Sequence, residues 1–228
     1  MTVLDLARRL PGIADLREHC RALAMLEAVV SPEWASRYYS FNSAWAPGQQ
    51  MASMRDGSGS EWSIVFSAAG AYIRGFDHES PMSPYASGKD GPWPGVVDLV
   101  PAAFREFVAE PAFCDERRTP VLTVCLWRGN DDDRWQTGEI EFPEGRTDPD
   151  GADALFGLLT DRTPEAYLSF AEDSYEMAPD LAAVTDILGH RPLTAGLVHA
   201  VNPEVTLEEL AADVAEIGYP GAAQGRRR

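Results

Sequence analysis

Seventeen residues, EWSIVFSAAGAYIRGFD from Glu61 to Asp77, narrow the possible folds of this chain more than any other stretch. Trp62, Ile64 and Phe66 alternate with Glu61, Ser63 and Ser67. After Ala68-Ala69-Gly70 a second alternation sets Tyr72, Arg74 and Phe76 against Ala71, Ile73 and Gly75. A period of two marks a strand, because successive side chains leave a pleated backbone on opposite faces. Glycine in the short connection accepts the positive φ of a tight turn, so the two strands pair antiparallel. Asp56-Gly57-Ser58-Gly59 repeats that chemistry one step earlier, and Arg37 to Asn42 and Gln50 to Arg55 read as the strands before it. The expected product is an antiparallel meander.

A second hairpin is expected in PVLTVCLWRGNDDDRWQTGEIEFP. Leu122, Val124 and Leu126 share one apolar face, and Val121, Cys125 and Trp127 nearly complete the other, which predicts a central strand. In the return strand Trp135 is out of phase with Ile140 and Phe142 across Gly138, the signature of a bulge. Helical spacing appears first in Ile13 to Val30, closed by Ser31-Pro32, and again in VVDLVPAAFREFVAEP through Phe104, Phe107 and Val108. PEGRTDPDG, residues 143–151, reads as a linker. Beyond it come helices over Ala152 to Thr160, Pro164 to Asp173, Asp180 to Leu188, Leu193 to Val201 and Leu207 to Ile217. Thr163 and Pro164 supply a start, Thr206 and Glu209 a capping box, and Gly189 and Gly218 the stops. The expectation is an α+β fold: an antiparallel sheet of about six strands with an N-terminal helix, one mid-chain helix and a C-terminal helical layer. A single domain is expected over residues 1–228, sheet-rich over residues 1–143, helical over residues 152–218, and ending in a flexible tail, residues 219–228.

Apolar residues make up 45% of the 228, enough to fill a sizeable core. The N-terminus lacks a signal-peptide h-region, and no window reaches the roughly 18 uninterrupted apolar residues that span a bilayer, so a cytoplasmic protein is expected. Cys20, Cys114 and Cys125 are odd in number and lack C-x-x-C spacing, which fits reduced thiols and no metal or other cofactor. Lys89 is the single lysine among nineteen bases, and with the Ala, Gly, Pro and Asp richness this suggests a GC-rich bacterial genome. The net charge of −17 is uneven: residues 129–228 hold twenty-one acids and seven bases, which puts −14 of it there. Nucleic acid and anionic membranes are excluded as expected partners, since binding either uses Lys and Arg to displace counterions. A basic protein partner is compatible.

Asp77, His78 and Glu79 are the candidate catalytic residues, at the end of a strand and the start of a long Pro, Gly and Ser loop. In an extended chain Asp77 and Glu79 share one face and His78 takes the other, so a bend at Glu79 is needed to gather them. With His78 as base and a carboxylate orienting it, the chemistry would be hydrolysis. No G-x-S-x-G, H-E-x-x-H, Walker or G-x-G-x-x-G pattern accompanies them. Asp148 and Asp150 resemble the start of a calcium loop, but position 159, where a Glu is required, is Leu.

Trp45, Tyr85 and Trp93 fall in expected loops, where an aromatic either pins the loop or anchors a partner. Asp131, Asp132 and Asp133 head the acidic surface, at a position that turn chemistry also explains. Together these residues point to a protein-binding module that steers a basic partner onto an acidic surface. Size, acidity and the lack of catalytic motifs resemble bacterial toxin-neutralising immunity proteins as a class, and that resemblance implies neutralisation of a basic partner. A hydrolase built around Asp77, His78 and Glu79 is the alternative.

Overall fold

A computed structural model of the chain describes residues 1–86 and 91–221. Its fold is α+β. Strands β1 (Tyr39–Ala46), β2 (Gln49–Arg55), β3 (Glu61–Ser67), β4 (Gly70–Phe76) and β5 (Val124–Gly129) form one antiparallel sheet in sequence order. The β3–β4 register sets Ile64 opposite Ile73 and Trp62 opposite Gly75. Pleating then divides the apolar residues as their alternation requires. Trp62, Ile64, Phe66, Ile73, Val124 and Leu126 enter one core, while Val65, Tyr72, Cys125 and Trp127 enter a second core on the opposite face.

The first core lies under the helices α1 (Val3–Arg9), α2 (Ile13–Val30), α4 (Ala152–Leu155), α5 (Gly157–Thr160), α6 (Pro164–Tyr175), α7 (Leu181–Leu188), α8 (Ala195–Val201) and α9 (Ala211–Ile217). Thr163, Asp180 and Thr194 each accept a first-turn N–H, satisfying donors that a helix start leaves unpaired. Thr206 and Glu209 bond reciprocally as a capping box, but 207–210 form a turn and α9 starts at Ala211 rather than Leu207; Leu210, its N-cap, and Ile217 are buried as their spacing predicts. The second core is covered by loop and short helical turns, which supply Met82, Val96, Phe104, Phe107, Phe113 and Leu122.

The structure differs from the sequence expectation at several points, among them α1, a helix that the sequence pattern does not announce. The sheet has five strands, and β5 lies at its edge, because the return segment pairs with β5 only at Trp127 and Gln136. Trp135 then turns into the helical core and donates its indole N–H to the Pro11 carbonyl at 2.8 Å. The mid-chain helix shrinks to a 3-10 turn, Ala102–Phe104, and one α turn, α3 (Arg105–Val108). Pro101 forces an extended residue before the helix and Pro111 bars its extension, so little more than two turns remain. The helix expected over 152–160 breaks at Phe156, whose ring stacks on Trp62 with centroids 6.0 Å apart. After α7 the left-handed residue is His190, at φ 56°, while Gly189 keeps φ −81°.

Two buried charges tie the helices to the sheet edge. Glu27 in α2, 0% exposed, accepts from the backbone N–H of Tyr38 and Tyr39 and from the hydroxyls of Tyr167 and Tyr175. Burial raises its carboxyl pKa despite those four donors. Arg37, just before β1, donates to the carbonyls of Ser31 and Pro32 and binds Asp213 of α9 at 2.5 Å. Beyond α9, Tyr219 stands where the tail is expected to begin. It is 4% exposed and donates to the carbonyls of Ile187 and Arg191; residues 222–228 of that tail lie outside the described residues.

Removing one partner of a buried pair leaves the other charge uncompensated, so Asp213→Ala should cost about 3 kcal/mol in urea denaturation. A change below about 0.5 kcal/mol, the range of ordinary surface substitutions, would show that α9 is held by its apolar stripe alone.

Candidate functional site

Glycine at two positions lets two loops meet backbone to backbone. A Cβ added at Gly95, φ 88°, would land on the Glu139 carbonyl oxygen, and one at Gly138 would land on the Gly95 carbonyl oxygen. This contact is why the segment after Trp135 leaves the sheet. It runs beside the 93–96 loop, and Trp93 donates its indole N–H to the Glu141 carbonyl at 2.9 Å. Between this pair of loops and the first helix lies an open groove of about 760 Å³, with Leu4, Trp93, Pro94 and Ile140 as its apolar surface and Asp98, Glu139 and Glu141 as its charges.

Glu139, Ile140, Glu141 and Phe142 alternate exposed and half-buried, so both glutamates point to solvent along an extended backbone. Among the described residues neither carboxylate has a hydrogen bond or an ion pair, and no base lines the groove. Asp98 spends one oxygen on the Gly95 N–H at 3.1 Å. The opposite wall, α1, is fixed by Asp150, which is fully buried and accepts from the Val3 N–H at 2.7 Å and from the Ala152 N–H at 3.2 Å. Asp150 is thus a structural residue at the end of the segment read as a linker, and the Pro149 carbonyl beside it accepts from Ser80.

The other sequence candidates are dispersed. Trp45 lies in β1 rather than in a loop, and stacks on Phe113 with centroids 6.1 Å apart. Tyr85, 64% exposed, stands edge-on to Phe76 and borders a different hollow with Asp115, Glu116 and Arg117. Asp131, Asp132 and Asp133 are exposed in the turn after β5. There Asp132 accepts from the Gly129 N–H, and the carbonyls of Asp132 and Asp133 accept from Arg128, which is turn-forming work.

Asp77, His78 and Glu79 follow β4 immediately. His78 and Glu79 are exposed, and the Asp77 carboxylate accepts from the Glu79 N–H at 2.9 Å. The partner of His78 Nδ1 is Ser60 Oγ at 2.9 Å, a hydroxyl on the neighbouring hairpin that the sequence pattern does not single out. Ser60 also approaches Asp77 Oδ1 at 3.5 Å. A carboxylate therefore sits beside this pair, but it bonds the turn and the hydroxyl rather than the imidazole.

Of the other histidines, His19 is buried against the Leu158 carbonyl at 2.7 Å, His190 bonds the Glu18 carbonyl at 2.8 Å and stacks on Tyr219, and His199 is exposed. Among the described residues no three His, Cys, Asp or Glu side chains are placed to hold a metal ion. The buried Cys125 thiol is pushed up to about 12 by burial, far from thiolate chemistry. Comparison with family models, with characterised proteins and with solved structures finds no match.

Asp150 and His19 give the stability of this framework a definite pH dependence. Burial raises the Asp150 carboxyl from 3.8 to about 6, so its contribution is full below 3.8 and is lost as the pH rises through 6. Burial lowers His19 from 6.5 to about 4, so its contribution is full above 6.5 and is lost as the pH falls through 4. Asp150→Asn removes the first slope and leaves the second. Its stability relative to the parent should therefore rise from pH 4 to pH 6.5 in urea melts, and parallel curves for the two proteins would contradict this assignment.

Proposed function

We propose that the protein is a binding module for a basic protein partner, and that the groove beside Trp93 receives a cationic segment of it. The observation that carries this reading is the pair of unpaired, solvent-facing carboxylates, Glu139 and Glu141, beside a half-buried tryptophan in a groove that no base lines among the described residues. Alternate residues of an extended chain stand about 7 Å apart, so the pair matches two bases spaced one residue apart on an extended partner. The apolar surface of Leu4, Trp93 and Ile140 would take a neighbouring side chain.

The wider surface favours the same partner. Fourteen of the seventeen net negative charges fall in residues 129–228, and a field of that sign raises the encounter rate with cations. The division of labour follows: charge governs association, and the aromatic governs residence. Neutralisation of a basic toxin is one biological form that such binding would take, and the acidity and size of the chain support it.

The test is recovery of the partner from the native host with the full chain, then association kinetics across a salt series. Glu139→Lys combined with Glu141→Lys should slow association about tenfold at low salt and flatten its salt dependence, because both residues project into solvent and their loss leaves the core intact. Trp93→Phe should mainly speed dissociation. A partner whose association ignores both salt and charge reversal would overturn this reading.

A further inference from the structure

A second concavity has the opposite character. It lies at the end of the sheet where the β1–β2 hairpin, the β3–β4 turn and α2 meet, and its volume is about 760 Å³, within the range of small-ligand sites. Among the described residues Arg17 is the one charged side chain that lines it, and no carboxylate does, in a chain whose net charge is −17. Ser43, Gln49, Gln50 and Ser67 supply neutral polar groups, and Trp45 and Phe66 supply apolar surface.

Three features make this cleft receptive. First, Arg17 makes no hydrogen bond among the described residues. Its Nε is buried without a hydrogen-bond partner, and its ion pair with Glu18 is a long one, 3.9 Å, to a carboxylate already bound to Arg21 at 2.8 Å. A guanidinium so placed retains its planar fork of donors, which suits a carboxylate. Second, the β1 backbone departs from the ladder at this point. Asn42 pairs with Met51 and Ala46 with Gln49, so Ser43, Ala44 and Trp45 together face the single residue Gln50. Irregularities of this kind re-aim side chains beside sites, and here Trp45 is turned to stack on Phe113 at an interplanar angle of 10°. Third, the Gln50 side-chain oxygen Oε1 accepts from Arg21 at 3.2 Å, which leaves the side-chain N–H₂ to donate, and the Gln49 side-chain amide makes no hydrogen bond among the described residues.

We propose that this cleft is a binding site for a small organic carboxylate with an apolar or aromatic body, the carboxylate on Arg17 with the Gln49 and Gln50 amides beside it and the body against Trp45. Such a group is found both on free acids and at the C-terminus of a peptide. The site is independent of the acidic groove, and its ligand has the opposite charge.

The probes are phenylacetate, its uncharged isostere phenylacetamide, and an N-acetyl tripeptide ending in Phe as the free acid and as the amide. Binding is read by NMR on the full chain, from the Trp45 indole and the Gln49 and Gln50 resonances. The acids should shift these signals and their amides should not. Arg17→Gln should weaken the acids about tenfold or more, as the loss of a charge-assisted pair requires, while its melting stays close to the parent's because Arg17 makes no hydrogen bond. Arg9→Gln, at an exposed arginine outside the cleft, should change nothing. Shifts with phenylacetate alone assign the site to free acids, and shifts with the peptide acid extend it to chain ends. Equal binding of acids and amides, unchanged affinity in Arg17→Gln, or no shift at these residues would overturn the proposal.

Discussion

Glu27 is the group on which the arrangement of layers depends. Its carboxylate sits in the apolar stripe of α2 and gathers donors from three places: the chain entering β1, Tyr167 and Tyr175. A carboxylate removed from water is costly unless its lone pairs are filled, so α6 and the start of β1 can take only positions that bring those donors to it. Apolar contacts alone would tolerate α6 sliding along α2. The buried acid permits one docking, and Arg37 with Asp213 repeats the device at the same end of β1, holding α9 there.

With its helical face locked in this way, the sheet presents distinct surfaces elsewhere. The loops that cover its second face carry Trp93 against the departing segment after Trp135, and the meeting of Gly95 with Gly138 creates the acidic groove. At the hairpin end the irregular pairing of β1 opens a cleft whose only charge among the described residues is Arg17. Both concavities lie where a strand departs from regular pairing, because a regular ladder leaves no room for one.

The legible features of the sequence were those whose signals are local. The alternation of Trp62, Ile64 and Phe66 with its Gly70 turn and the Thr163 cap each need only neighbouring residues, and each stands in the structure as the sequence reads; the Thr206–Glu209 box forms its bonds too, although α9 starts only at Ala211. Glu27 carries no such signal. It occupies an apolar position of α2, and its partners Tyr167 and Tyr175 are 140 and 148 residues away. The sixth strand fails for a similar reason. Ile140 and Phe142 alternate well enough for a strand, but a backbone contact with Gly95 competes for that segment. Of the candidate site, Trp93 was visible as an aromatic in a loop, and Glu139 and Glu141 are two of the twenty-one acids of residues 129–228; their meeting depends on that same contact. Arg17 reads in sequence as one more charge on the solvated face of a helix.

The dependence on Glu27 is tested most directly by the stability of Glu27→Gln and of the double variant Tyr167→Phe, Tyr175→Phe, followed by both helical and tryptophan signals in urea. An amide turns an N–H₂ toward donors that need an acceptor, so Glu27→Gln should lose at least about 2 kcal/mol in one cooperative transition. The double variant should lose a comparable amount, since it leaves the same carboxylate short of donors. Melts of both variants within about 0.5 kcal/mol of the parent, the range of ordinary surface changes, would mean that α2 and α6 are held by apolar packing alone.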